Sequence, residues 1–483
     1  MNKIKSDVIK GVFWKFSERF SAQIVSLTVS IVLARLLLPS EYGIISIVMV
    51  FVTIANVFVT SGLGASLIQK IDADEIDFSS VFYFNLLFSS LLYIGLFISS
   101  SYIAEFYKIP ILEPVLKVLG ISIVLLGINS VQQAYVSRRM IFKKFFYATL
   151  LGTVSSAIVG IALAYMGYGV WALVSQNLTN IVIDTIVLQL SIEWKPVLNF
   201  SFKRLKALFN YGWKLLIQNF VLQIYSSLRS LLIGKIYTTS DLAYYTKGNQ
   251  FPDLISSNID TAINSALFPA MSKEQKSIER VKQMARKTTQ VTSYVMNPIL
   301  VGFMAIAEPF ISLLLTDKWI PAVPFLRICC IVLLFRAPQT AILQATKAVG
   351  RSDCVLMIDF PIRLFALIVL LISVKFGVIY IALTELLVTV FGTILYGMMS
   401  NSIIGYSGKE IISDFKNNTI IAGIMGITIW GIGVFLPISN SLKIFVMVIL
   451  GIVIYIFLSI ITNNPSFKFV LNTAKEIAKS RRK

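Results

Sequence analysis

The sequence predicts an all-α, polytopic membrane protein with about fourteen transmembrane helices in two pseudo-symmetric lobes around a central cavity. Three observations carry this reading: the hydropathy, the alternation of charge between successive loops, and a weak internal repeat. Of the 483 residues, 56% are hydrophobic and 14% charged, and mean hydropathy is +0.80, far outside the range of soluble chains. The run Phe145 to Ile183 contains no charged residue. As one helix it would extend about 58 Å at 1.5 Å per residue, roughly twice the ~30 Å hydrocarbon core. Met166-Gly167-Tyr168-Gly169 near its middle supplies a turn, so the run reads as two spans in a tight hairpin.

Hydropathy places spans at 13–37, 42–68, 79–104, 114–136, 145–166, 169–191, 211–236 and 245–271. Six more follow at 289–316, 321–346, 353–374, 376–401, 418–437 and 442–462. The first apolar run lacks a small-residue cleavage site and is expected to stay as a helix. Four parts result: an N-terminal lobe 1–191, a cytoplasmic interfacial linker helix 192–210, a C-terminal lobe 211–401, and residues 402–483 with two further spans and a basic tail. In the linker, Phe202, Leu205, Leu208 and Phe209 share one helical face against Lys203, Arg204 and Lys206. That pattern suits a helix lying on the membrane surface, with an ordinary basic loop as the alternative.

The net charge of +19 is spread over short loops, which excludes a nucleic-acid groove and fits the positive-inside rule. One side carries Lys3, Lys5 and Lys10, the cluster Arg138 to Lys144, Lys195 to Lys206, Lys273 to Lys287, and the tail from Lys475. The other side shows isolated cations such as Lys108, Lys318 and Lys375. Both termini are therefore expected in the cytoplasm. The acidic loop Lys70 to Asp77 is the exception. Cys329, Cys330 and Cys354 lie in apolar segments without metal or redox spacing, and no His is present to act as base or ligand.

At an offset of 200 residues the chain matches itself without gaps. Gln23-Ile24 faces Gln223-Ile224, Ser30 faces Ser230, Leu33-Ala34-Arg35 faces Ile233-Gly234-Lys235, and Ser40-Glu41 faces Ser240-Asp241. Chance likeness between apolar helices is the alternative to duplication. A parallel repeat of this kind implies two halves that rock about a site between them.

Charge inside the bilayer costs about 2.5–3.5 kcal/mol per residue on insertion scales, so each instance needs a reason. Gln250, Asp253, Ser257, Asp260 and Asn264 form a stripe along one face of the eighth span. Such a stripe faces a water-filled cavity or an interhelical hydrogen-bond seam. Arg19, Arg229, Arg336 and Arg363 suit an anionic, phosphate-bearing substrate, because guanidinium forks match phosphate oxygens. Asp359 and Arg363 are four apart on the eleventh span, as a functional pair or a structural salt bridge. Glu385 on the twelfth is a candidate cation or proton site, with helix packing as the alternative. The candidate cavity residues are thus Arg19, Arg229, Gln250, Asp253, Ser257, Asp260, Arg336 and Arg363, with Asp359 and Glu385 as candidates for coupling to Na+ or H+. No catalytic residue, metal site or organic cofactor is expected. Pro252, Pro298, Pro309, Pro338 and Pro361 interrupt helices of the second half, as moving helices or as static kinks.

Linear motifs narrow the class. Ala34-Arg35-Leu36-Leu37-Leu38-Pro39-Ser40-Glu41-Tyr42-Gly43 resembles the junction of the first two helices in bacterial polysaccharide exporters. Gly62 to Ile68, Phe106 to Pro110, Gly169 to Gln176, Leu232 to Lys235 and Leu267 to Ser272 resemble further segments of the same proteins, in the same order. One departure is Leu242-Ala243-Tyr244-Tyr245, where Gly is usual in place of Ala243. The resemblance is to oligosaccharide-lipid flippases (Wzx-like), in the superfamily shared with multidrug and toxic-compound extrusion proteins. It covers residues from about 10 to 351.

The resemblance implies a polyprenyl-pyrophosphate-linked oligosaccharide as cargo, moved across the bacterial cytoplasmic membrane for O-antigen, capsule or similar polymer. A polysaccharide polymerase and a chain-length regulator are the implied partners, with membrane lipids around the chain. A cation-coupled multidrug exporter is the alternative, drawing on Asp253, Asp260, Asp359 and Glu385. A membrane polymerase or ligase is disfavoured by the short outer loops and the absence of His.

Overall fold

A computed structural model describes the backbone of residues 2–480, with side chains from residue 14 onward except 16, 266, 473, 474 and 477–480. The described residues are helical, without strands. The first eight helices are α1 (Asn2–Leu36), α2 (Pro39–Thr60), α3 (Leu63–Gln69), α4 (Glu75–Tyr107), α5 (Leu112–Arg139), α6 (Lys143–Tyr165), α7 (Val170–Ser191) and α8 (Phe202–Ile236). There follow α9 (Thr239–Lys273), α10 (Ile278–Ala305), α11 (Ala307–Leu315), a 3-10 turn (Asp317–Ala322), α12 (Val323–Leu334) and α13 (Arg336–Ala348). The remainder are α14 (Ser352–Ser373), α15 (Val378–Ile404), α16 (Gly408–Phe435), α17 (Asn440–Ile461) and α18 (Pro465–Ser480).

Eleven spans long and apolar enough to cross a bilayer occur among the described residues, twelve if the bent pair α10–α11 counts as one. The expected fourteen included α8 and α9. Both have 35 residues, about 52 Å of helix, but Gln218, Asn219, Gln223, Arg229 and the α9 stripe make them too polar to qualify by composition. Several elements also differ from their sequence outlines. The second span breaks into α2 and α3 at Gly62, whose φ of +106° lies in a region that glycine enters without steric cost. The ninth bends by 68° between α10 and α11. The basic segment after Ser201 is the opening of α8 and runs on unbroken to Ile236. The C-terminal tail contains α18.

The chain forms two compact units, residues 1–243 and 244–483, passing from one to the other within α9. In the first unit α5 packs on α2, α3, α4 and α7, while α6 lies between α1 and α7. Small residues allow the close approaches. A Cβ at Gly43 would sit 1.8 Å from the Thr239 carbonyl oxygen, and one at Gly212 would sit 2.7 Å from the Gly62 carbonyl carbon. The acidic loop that broke the charge pattern is partly neutralised here. Lys70 pairs with buried Asp77 at 2.7 Å, and Arg204 of α8 pairs with Asp74 at 2.5 Å. That guanidinium holds the Asp74 carboxyl below the usual carboxylate range.

The 200-residue offset extends into the backbone. Helix α1 ends at Leu36 and α8 at Ile236; α2 starts at Pro39 and α9 at Thr239. Both junctions use one device: Glu41 accepts from the Leu38 N–H at 2.7 Å, and Asp241 accepts from the Thr238 N–H at 3.1 Å. A carboxylate three residues into a helix thereby satisfies an amide at its start.

In the second unit α10 packs on α12, α13 and α16, α14 on α15, and α16 on α17. Buried Asn418 joins these helices, donating to the Ser293 hydroxyl at 2.8 Å and accepting from Asn464 at 2.8 Å.

Candidate functional site

The first unit holds Arg19 and Arg229, and the second holds the other eight predicted residues. Arg19 is exposed on α1, and Arg229 is half-buried on α8. On α8, Gln223 donates to Ser227 at 2.9 Å and to Thr53 of α2 at 3.4 Å, which ties this polar helix to an apolar neighbour.

In the second unit the α9 stripe divides in two. Its C-terminal part is a seam with α13. Arg336 Nε lies 2.8 Å from Asp260 Oδ2. Ser256 and Thr340 hydroxyls donate to the same carboxylate at 3.4 Å each, and Gln344 donates to Asn264 at 2.9 Å. Arg336, Thr340 and Gln344 follow one another at four-residue steps and so present a complementary stripe to Asp260 and Asn264. Asp260 is 6% exposed, while the Arg336 side chain is half exposed. The guanidinium thus neutralises a buried carboxylate with one N–H and keeps further donors of its five-donor fork. A cation that is both fixed and accessible can recognise an anionic group without the cost of ordering a free side chain.

The N-terminal part of the stripe stays open. Asp253 is exposed and lies within electrostatic range of Glu385 and Arg336. Gln250 is half-buried and accepts from buried Lys247 at 3.0 Å. Ser257 is turned back onto its own helix, donating to the Leu254 carbonyl at 3.3 Å. It takes no part in the seam.

Asp359 and Arg363 approach at 3.5 Å on α14, and Tyr396 of α15 donates to Asp359 at 2.7 Å. Glu385 of α15 accepts from the Tyr245 hydroxyl of α9 at 3.1 Å. Both candidate coupling carboxylates therefore carry tyrosine hydrogen bonds, each reaching to a second helix.

Several participants escaped the sequence reading. Thr340 and Gln344 carry no charge, and only their spacing from Arg336 marked them. Lys247 falls one turn before the stripe. In the first unit Asp184 accepts from Asn129 of α5 at 2.7 Å, and Glu18 of α1 accepts from Thr149 of α6 at 3.3 Å. Asp184 lies one residue beyond the charge-free run that ends at Ile183.

Many membrane-spanning helices with a paired, partly accessible charge network among α9, α13, α14 and α15 mark a polytopic membrane protein with polar groups inside its helix bundle. More than half of the chain, residues 32–324, matches the model of one family, "Polysaccharide biosynthesis protein". The chain belongs to that family. It is 24% identical over 66% of its length to the succinoglycan biosynthesis transport protein ExoT of Rhizobium meliloti, spanning 65% of that protein. It is 21% identical over 95% of its length to the teichuronic acid biosynthesis protein TuaB of Bacillus subtilis, spanning 96% of it. Its fold is that of the lipid II flippase MurJ in an inward closed conformation, with a TM-score of 0.74 at 16% identity over 93% of this chain and 98% of the other.

Proposed function

We propose that the protein is a flippase that moves a polyprenyl-pyrophosphate-linked oligosaccharide repeat unit across the bacterial cytoplasmic membrane, for assembly into O-antigen, capsule or a related surface polysaccharide. Membership of the polysaccharide biosynthesis family is the observation that carries this reading. The guanidinium of Arg336, held by Asp260 yet half exposed, supplies a binding group for a pyrophosphate. Arg19, Arg229 and Arg363 are the further candidates for it. The open polar face around Gln250 and Asp253 suits hydroxyl-rich cargo. The two halves related by the 200-residue repeat form two lobes, and α8 and α9 complete fourteen spans, their polar faces turned from lipid. Access alternates by rocking of these lobes. Asp359 and Glu385 couple transport to Na+ or H+.

Both termini lie in the cytoplasm, and a polysaccharide polymerase and a chain-length regulator act next on the cargo. The protein changes no covalent bond of its substrate, so it is a transporter and not an enzyme. The drug-exporter alternative is set aside, since the family match favours polysaccharide precursors over cationic drugs.

Deletion of the gene is expected to leave lipid-linked oligosaccharide on the cytoplasmic leaflet and remove the surface polymer. Unchanged amount and sidedness of that lipid in the deletion strain would refute the assignment. Arg229→Ala and Arg363→Ala proteins should reach the membrane at near-normal levels yet restore less than a tenth of the surface polymer; full complementation by both would remove them from the site.

A further inference from the structure

The second unit contains a polar pocket of about 460 Å³ that is separate from the charge network described above. Its walls come from the junction of α10 and α11, the 3-10 turn, α12, the end of α16 and the start of α17. Glu308, Asp317, Arg327, Trp430, Asn440 and Lys443 line it. Helix α17 begins at this pocket and runs away from it to α18. The pocket therefore lies at the membrane face opposite the C-terminal helix, outside the cell in the orientation proposed above.

Three independent features mark the pocket as built rather than incidental. First, α10–α11 is the one span bent by more than 40° at a short break among the described residues, and the bend forms a wall of the pocket. Broken helices persist in membranes where their freed backbone groups line a cavity or meet side chains. Here Arg327 donates to the Met304 carbonyl at the end of α10 at 3.4 Å. Second, Thr316 is held at φ +84° and ψ 167°, a region populated almost entirely by glycine and maintained only where the surroundings enforce it. The following residue is Asp317, which accepts from the Ser312 hydroxyl; Asn440 in turn donates to Ser312 at 3.2 Å. Third, among the described residues the side chains of Glu308 and Lys443 line the same pocket without a hydrogen bond or ion pair to the rest of the chain.

We infer that this pocket is a saccharide-binding subsite for the sugar part of the cargo on its exit side. The chemistry selects the ligand. Two carboxylates and two cations leave no dominant sign, which disfavours a phosphate or a cationic drug. A sugar hydroxyl both donates and accepts, so it can use Glu308 and Asp317 as acceptors and Arg327, Asn440 and Lys443 as donors. Trp430 is 51% exposed and offers a flat apolar face beside these groups, suited to the C–H face of a sugar ring. The volume falls within the ~300–1,000 Å³ of small-molecule sites. The inference rests on the proposed function, since it takes the cargo to carry sugar.

The test uses the full-length protein in lipid nanodiscs and, as probe, the repeat-unit oligosaccharide released by mild acid from the host's surface polymer. Binding is read by calorimetry, with folding checked by size-exclusion chromatography. The expected result is that Trp430→Ala and Glu308→Gln bind the oligosaccharide at least tenfold more weakly than the wild-type protein. Trp430→Phe should keep most of the affinity, and Phe376→Ala, an exposed aromatic outside the pocket, should match wild type. No binding to the wild-type protein, equal binding by Trp430→Ala, or displacement of the sugar by inorganic pyrophosphate would overturn the subsite. Translocation of the intact lipid-linked precursor is scored separately. A protein that translocates without binding the free oligosaccharide refutes this subsite alone; one that binds at Trp430 without translocating refutes the flippase reading alone.

Discussion

Replacing Gly43 with alanine is expected to cost the protein most of its stability, and valine should prevent its accumulation. A Cβ at this position would lie 1.8 Å from the Thr239 carbonyl oxygen and 2.4 Å from its carbon. The obstacle is backbone, so no rotamer change relieves it. Either α2 or the start of α9 must move. Overpacking a well-packed site costs about 1–3 kcal/mol and occasionally more, and a backbone clash of this depth belongs at the upper end. Gly64 is the matched control, because a Cβ there meets nothing within 4 Å. The measurement is thermal stability in detergent by fluorescence-detected size exclusion. A large drop for Gly43→Ala with Gly64→Ala near wild type is the expected pair of results. Equal stability of the two variants would mean that α2 does not contact the α9 start as described.

The second large effect concerns Asp260 and Arg336. Arg336→Leu should be severe, because it leaves a carboxylate 6% exposed with only hydroxyl donors from Ser256 and Thr340 at 3.4 Å. Removing one partner of a buried ion pair costs about 3–5 kcal/mol, whereas replacing both with apolar groups is often neutral. The Asp260→Leu/Arg336→Leu protein should therefore accumulate better than Arg336→Leu alone. It should still fail to restore surface polymer, since the accessible guanidinium is gone. Folding and transport then separate within one set of variants. Additive losses in the double variant would show that the two side chains do not act as a pair; recovered polymer would show that Arg336 serves packing only.

Much of this organisation was legible in the sequence because bilayer constraints are strict. Apolar runs of span length admit few structures other than helices, and the capping carboxylates Glu41 and Asp241 mark both copies of one helix junction. The polar stripe on α9 was visible from its spacing. Its division was not, since whether Asp253 stays open while Asp260 pairs depends on the register of α13 against α9, and no local pattern fixes that. Uncharged partners were hidden for a similar reason: Thr340, Gln344, Tyr245 and Tyr396 are ordinary residues in apolar helices until a carboxylate on a neighbour faces them. The bend at residues 305–307 was marked by Pro309, which offers no N–H to the Ala305 carbonyl four residues back and crowds it; its angle of 68° was not legible. The span count differed because the sequence reading admitted α8 and α9, whose polar faces keep them below the composition of the other spans.

Sidedness of a lipid-linked oligosaccharide in proteoliposomes tests the central claim most directly. Purified protein would be reconstituted with the precursor on one leaflet only, and exposure on the other leaflet followed with a membrane-impermeant glycosidase. The account predicts that wild-type protein makes the sugar accessible well above the rate of protein-free vesicles, while Arg336→Leu/Asp260→Leu vesicles, loaded with equal protein, stay near that background. Equal rates with and without wild-type protein would contradict it.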